Sequence, residues 1–259
     1  VLPFTDSLAP IKIGELWGYL GLRGDTAIPA TFDEARCFHK NLARVRQYGR
    51  YGFIGRSGRV IIPCLFDHAW WFNEGLAAVQ LDGKYGYVNL NGNIEIAPRF
   101  AFANSYLNHR AIVFDDSGAY AIRPDGLELS PMRYASMSEF RSERTVARLS
   151  AHQFSIMGAD GNIVASVICD WMSGVYDGLA IFRRAGKYGA VNSLGQVVIG
   201  ATHERLGLFS RGMAFTLVNG KYGYVNAMNQ VVIPPKFEEA GNFHDVRAVY
   251  HHDFQPWAL

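Results

Sequence analysis

The sequence has 259 residues, 49% of them hydrophobic, enough to bury a sizeable core. Its 25 basic and 23 acidic residues leave a formal net charge of +2, which excludes a general pull toward nucleic acid or an anionic membrane. No apolar run reaches the roughly 20 residues that a membrane-spanning helix needs.

An aromatic content of 14%, with 27 Gly and 10 Pro, reads as many short strands divided by turns. Taken along the chain, an anchor position recurs at Trp17, Tyr51, Tyr85, Ala119, Phe154, Tyr188 and Tyr222, every 34 residues with one interval of 35. Glycine follows the anchor in five of these seven places, as in Gly83-Lys84-Tyr85-Gly86-Tyr87-Val88-Asn89. Seven residues after each anchor come Gly24, Gly58, Gly92, Gly126, Gly161, Gly195 and Asn229, residues that tolerate the positive φ of a tight turn. An Ile/Val stretch follows, often with Pro, as in Ile61-Ile62-Pro63 and Val231-Val232-Ile233-Pro234. Two aromatic columns come next, Phe32, Phe66, Phe100, Tyr134 and Phe237, then Phe38, Phe72, Tyr106, Phe140, Phe209 and Phe243. A small-residue column closes the period: Ala43, Ala77, Ala111, Thr145, Ala180, Ala214 and Ala248.

Each column has a physical reading. The glycine beside the anchor lets a neighbouring ring or backbone pack closely over it. The Gly turn folds the anchor strand onto the Ile/Val strand, and Pro is expected to end that strand because it cannot donate to a ladder. The aromatic and Ala columns supply a core between units, since one unit of 34 residues cannot bury its own apolar face. The fold expected is therefore all-β: a single domain over 1–259 built as a tandem array of about seven hairpin repeats, starting near 12, 46, 80, 114, 149, 183 and 217. A curved solenoid-like stack is the first expectation and a closed seven-unit propeller-like ring the alternative, because propeller blades usually need four strands and more residues.

These residues resemble the WG-repeat (KWG-repeat) family of bacterial β-rich proteins. The family pattern runs Lys, Trp, Gly, aromatic, aliphatic pair, polar residue, Gly turn, Val-Ile-Pro-Pro and aromatic-Asp. It is clearest from Lys84 to Phe100, Arg50 to Asp67 and Lys221 to Glu238, and it covers about Ile11 to Tyr250. Tryptophan holds the anchor only at Trp17, and Ala119-Tyr120 and Phe154-Ser155 depart from aromatic-Gly. The resemblance implies an interaction module and brings no catalytic residues.

A search for chemistry finds no GxSxG, P-loop, HExxH or EF-hand pattern. No cofactor or metal is expected. Of the eight histidines only His39 and His244 share a repeat offset, and His251-His252-Asp253 reads as a tail. Cys37, Cys64 and Cys169 show no CxxC pairing; they read as small buried hydrophobes and favour a reducing compartment, the bacterial or host cytoplasm. The acidic positions Glu238-Glu239, Asp33-Glu34 and Asp67 recur, and so does the Asn89, Asn192 and Asn226 column, so both read as structural. The start at Val1-Leu2-Pro3-Phe4, without Met or an apolar leader, reads as a fragment or a processed form.

Binding residues are sought where the repeat is broken. Trp70-Trp71 replaces small or polar residues, and Asp170-Trp171 with Tyr176 marks the fifth unit. Arg123, Arg133, Arg141, Arg144 and Arg148 form an arginine-rich stretch, and Arg183-Arg184 is a further departure. Exposed aromatics and arginines are the residue types that carry binding hot spots. The expected function is a non-catalytic protein-interaction scaffold (an effector, toxin-neutralising or adaptor module) whose partner is another protein. A carbohydrate- or peptidoglycan-binding module is the alternative, with an enzyme using His152, Asp160 or Asp170 as a remote third.

Overall fold

The computed structural model describes residues 3–244, 247 and 248, and of the last four only the backbone. Columns ending at Phe243, His244 or Ala248, and the His251-His252-Asp253 segment, therefore lie outside the described side chains. Every described element is a β-strand, arranged in seven antiparallel sheets of three or four strands and one two-stranded ribbon. The chain divides into two compact units, Val1–Ser117 with Ala121–Glu128, and Gly118–Tyr120 with Leu129–Leu259. The boundary falls within the strand Gly118–Ile122.

The sheet of residues 68–100 in the first unit shows the plan. A two-residue edge strand, His68–Ala69, pairs with Leu76–Leu81, which pairs with the anchor strand Lys84–Asn89, which pairs with the outer strand Ile94–Phe100. The same order recurs over 34–66 in this unit, and over 136–168, 171–203 and 205–237 in the second. Each sheet is a plain meander whose turns follow from the sequence. Glu74 and Gly75 (φ 51° and 86°) and Asp82 and Gly83 (φ 50° and 76°) are two-residue turns with both centres at positive φ, matched to strand twist. Gly92, at φ 83°, closes the third turn, and Asn89 Oδ1 caps it by accepting the Asn91 and Asn93 amides at 2.9 and 3.1 Å. Asn192 and Asn226 cap their turns in the same way.

The sheets follow one another in tandem as the repeat requires, and the complete ones hold four strands, the fourth being a two-residue edge strand that adds to the expected hairpin. One expectation needs correction. Proline does not end the outer strand. Pro63 and Pro98 lie inside Val60–Phe66 and Ile94–Phe100, where a bulge sits opposite the anchor glycine. Between Tyr85 and Tyr87 the pairing partner jumps from Phe100 to Ile96. Residues in the bulge make no regular ladder bond, and the strand is at the sheet edge, so a missing N–H costs little there.

The bulge explains the aromatic-Gly pair. A Cβ on Gly86 would meet Ile96 O at 2.5 Å and Pro98 N at 2.7 Å. Gly18, Gly52, Gly189 and Gly223 meet the same backbone at 2.5–2.6 Å. Where Ser155 replaces the glycine, the bulge is absent: Phe154, Ser155 and Ile156 pair in straight register with Val167, Ser166 and Ala165, and the outer strand shortens to six residues.

From Ala43 to Ala214 the small-residue column is buried, and aromatic residues pack around it, as in the cluster of Phe53, Ile62, Phe66, Ala69, Phe72, Ala77, Val79 and Val88, whereas Phe237 is exposed. Turns also seal neighbouring sheets, since Gly58 and Gly92 lie against Ile28 and Ile62 of the preceding sheet. Acidic side chains tie successive edge turns: Glu74 accepts the Asn108 and His109 amides, and in the second unit Asp177 accepts that of Gly212 at 2.7 Å.

Three tyrosine hydroxyls, of Tyr19, Tyr87 and Tyr106, each donate to a carbonyl 17 residues on, at 2.7–2.8 Å. Burial, the largest cause in each case, raises their ionisation well above the ordinary range. Unfolded tyrosines ionise near pH 10, so the folded state binds more protons above that point. The stability they contribute is complete below about pH 10 and is lost as pH rises further. We expect urea midpoints of the first unit to stay level from about pH 7 to 9 and to fall beyond about pH 10, with a shallower fall in Tyr87→Phe.

Candidate binding site

In the first unit the loops after the edge strands bring equivalent positions of consecutive repeats together. They line a cleft of about 520 Å3. Its walls are Thr5, His39 and Asn73 from one column, Cys37, Trp71 and Ser105 from a second, and Phe38 and Phe72 from a third. The frame residues Phe38 and Phe72 are buried, while the remaining wall residues differ in chemistry from one repeat to the next. Asn73 donates to Tyr106 O at 2.6 Å, fixing that wall.

Trp71 is half-buried and lies over the guanidinium of Arg44, 5.0 Å from Cζ to ring centroid. Arg44 stands in a strand column that otherwise runs Pro10, Ala78, Ile112, Val146, Ile181 and Phe215 through the described strands, so it is a departure that sequence reading missed although the column shows it. It is only 9% exposed, donates through Nη1 to Ala69 O, and also stacks on Tyr51 at 5.2 Å. Burial lowers its pKa from the ordinary arginine value. Trp70, also half-buried, packs edge-on against His68 at 4.8 Å and Phe102 at 6.2 Å. His68 stands between Tyr51 at 5.6 Å and Tyr85 at 6.1 Å, which makes a ladder of rings along the unit. Burial, then Arg44, pushes the His68 imidazole below its ordinary pKa. Arg44 Nε, Arg46 Nε, His68 Nδ1 and Trp70 Nε1 are buried without hydrogen-bond partners. Each such orphan costs about 1–3 kcal/mol.

The other residues singled out in the sequence lie elsewhere. Arg123, in the first unit, is exposed beside Asp125 at 3.7 Å, and its carbonyl takes the Tyr106 hydroxyl. In the second unit Arg141 stacks on Tyr176 at 4.8 Å and pairs with Glu139 at 3.1 Å. Arg144 donates from Nε to Ser193 O, Arg148 to Ser150 O, and Arg133 lies over Tyr120. Each of these arginines thus has its own local neighbour. Trp171 is 46% exposed, edge-on to Tyr188 at 6.5 Å, and Arg183 lies over the same ring. Arg184 donates to Ile168 O. Asp170 beside Trp171 is already engaged, by the Ala185 amide at 2.9 Å and by His152 at 3.4 Å. The recurrent acidic slot behaves likewise: Asp33 takes the Gly49 amide, Asp67 pairs with Arg50, and Glu238 with Lys221.

Among the described residues no group of three or more His, Cys, Asp or Glu is placed to hold a metal ion, and no helix is long and apolar enough to cross a membrane. Cys169 is buried and its thiol is pushed up to about 11, chiefly by that burial.

A constant frame of repeated sheets carrying a wall of variable side chains defines a repeat-built β scaffold suited to binding. The profile of the WG containing repeat matches residues 17–51, 51–85, 85–116, 156–188, 188–222 and 222–245, and the chain belongs to that family. The gap in the matches spans the two anchors that depart from aromatic-Gly. No curated protein matches the chain. Among solved structures, a eukaryotic initiation factor is 10% identical over 89% of this chain and 74% of that one, with a TM-score of 0.54. The designed Ika8 protein is 13% identical over 94% and 90%, at 0.48, and BamB from Moraxella catarrhalis 12% identical over 88% and 80%, at 0.44. At these identities the likeness concerns fold alone.

Proposed function

We propose that the protein is a non-catalytic scaffold that binds another protein, and that the first-unit cleft holding Trp71 is its recognition surface. The observation that carries this reading is the cleft's construction: four consecutive repeats present unlike side chains around two phenylalanines of one column. A half-buried indole stacked on an arginine is the kind of anchor that dominates protein interfaces. The arginines of the second unit and Trp171 with Tyr176 remain further candidates on the same grounds. A glycan-binding reading has less support, because one Asp170 oxygen beside the exposed Trp171 already accepts the Ala185 amide and the other faces His152 at 3.4 Å.

The test is affinity capture followed by reconstitution with the purified protein recovered. A stoichiometric partner whose Kd rises at least about tenfold in Trp71→Ala, equivalent to about 1.4 kcal/mol, and is unchanged in Trp171→Ala, supports the reading. Equal loss in Trp171→Ala moves the surface to the second unit. Retention of glycan alone, with no protein, overturns the proposal.

A further inference from the structure

Acidic side chains tie successive edge turns, and in the first unit one tie is missing. Asp6 accepts the Asn41 amide at 3.1 Å, and Glu74 accepts those of Asn108 and His109 at 2.8 and 2.7 Å. Each amide lies 34 or 35 residues beyond its acid, one period on, as does the Gly212 amide that Asp177 accepts in the second unit. Between Asp6 and Glu74 this column holds Lys40, and the amide one period on is that of Gly75. A lysine ammonium has no lone pair with which to accept it. Among the described residues the Gly75 amide has no hydrogen-bond partner, and the space beside its Cα is open. Lys40 also lines a cleft of about 440 Å3. A second cation, Arg56, lines it with Leu42, Ile61 and Leu90, and no acidic residue does so among the described residues. Leu90 follows Asn89, whose strand partner is Leu76, so the far wall belongs to the same end of its sheet as Gly75. Lys40 and Arg56 are exposed, and among the described residues neither forms an ion pair or a side-chain hydrogen bond. The intact ties show which group fits the place: an Asp or Glu carboxylate. At Lys40 the chain does not supply that group, and the ammonium attracts it from outside through a charge-assisted bond.

We propose that this cleft receives an acidic segment of a partner polypeptide. An Asp or Glu carboxylate of the segment takes the missing tie between Lys40 and the Gly75 amide, and an adjacent apolar side chain lies on Leu42, Ile61 and Leu90. The inference rests on the reading of the protein as a scaffold for another protein and adds a second contact to it: His39 lines the Trp71 cleft, and the next residue, Lys40, lines this one. The probe is the Gly75 amide signal of the full chain labelled with 15N-glycine, assigned by its loss in Gly75→Asn. The capped peptide Glu-Leu-Glu is titrated in, against Gln-Leu-Gln, sodium octanoate and sodium sulfate at matched ionic strength. We expect a saturable shift of that signal with Glu-Leu-Glu and none with Gln-Leu-Gln. Binding is expected to weaken at least about tenfold in Lys40→Gln and in Arg56→Gln, the loss of one charged bond. Lys40→Asp restores the internal tie, so its Gly75 signal is expected to be shifted before any peptide is added and to ignore the peptide. Both cations are exposed, so the three variants are expected to keep the unfolding midpoint within the range of surface substitutions. The proposal is overturned if Lys40→Asp binds the peptide as tightly as wild type, or if sulfate saturates the shift equally. Octanoate binding as tightly as the peptide overturns it in favour of a fatty anion. A Gly75 signal that ignores Glu-Leu-Glu also overturns it, while a captured protein whose binding depends on Trp71 would still support the scaffold reading.

Discussion

Gly86→Ala is expected to destabilise the first unit by about 3 kcal/mol, near the upper end of what overpacking costs. Alanine is normally the gentler residue in a strand, because glycine loses more conformational freedom on folding. Here the added Cβ has nowhere to go: the atoms it meets, Ile96 O and Pro98 N, are backbone and not the far end of a side chain. Relief requires the bulge to open, which disturbs the flanking pairs Tyr85–Phe100 and Tyr87–Ile96. Gly83→Ala is the internal control. It has open space around it but sits at φ 76°, so its cost is confined to left-handed strain, about 1 kcal/mol. Urea denaturation of the two variants separates a steric requirement from a conformational one. If they lose equal stability, the close approach at Gly86 is not what the position demands.

Tyr87→Ala is expected to cost about 4 kcal/mol, within the range for emptying a buried aromatic site. The side chain is fully buried, edge-on to Tyr106 at 4.8 Å and Phe100 at 6.3 Å, so nothing flexible is available to refill the space. Tyr87→Phe keeps the ring and removes only the donor to Asn104 O, which is left unpaired at a cost of about 1–2 kcal/mol. The difference between the variants measures ring packing alone. A Tyr87→Phe loss as large as that of Tyr87→Ala would mean that the hydroxyl, not the ring, holds the sheets together.

The repeat was legible because its columns are dictated by local physics. Gly92 must reach positive φ, Asn89 must cap the turn, and Ala77 must let neighbouring sheets close. Such demands leave the same residue types at every period. The edge strand was not legible, since two residues such as His68 and Ala69 carry no periodicity. The place of Pro98 inside a strand was missed because a ladder rule was applied where a bulge removes the ladder. The candidate site was half legible. Trp70 and Trp71 are visible as departures from small residues, and the same logic applied to the strand column would have found Arg44 among Ala78, Ile112 and Val146. Sequence alone did not reveal that Arg44 packs between Tyr51 and Trp71, because those contacts join positions 7 and 27 residues away, one in the same sheet and one in the loop after the next edge strand.

The most direct test exchanges the departure for the array's own alternative. Trp70→Asn/Trp71→Ser installs the residues that stand at the equivalent positions Asn104 and Ser105, where the same frame folds around them. The measurement is the Kd of the purified protein partner for wild type and for this variant, with unfolding midpoints alongside. A scaffold that recognises its partner through the broken positions predicts a folded variant whose binding is weaker by at least about 100-fold, equivalent to about 2.7 kcal/mol. A folded variant that binds as tightly as wild type would contradict the account and place recognition outside the first-unit cleft.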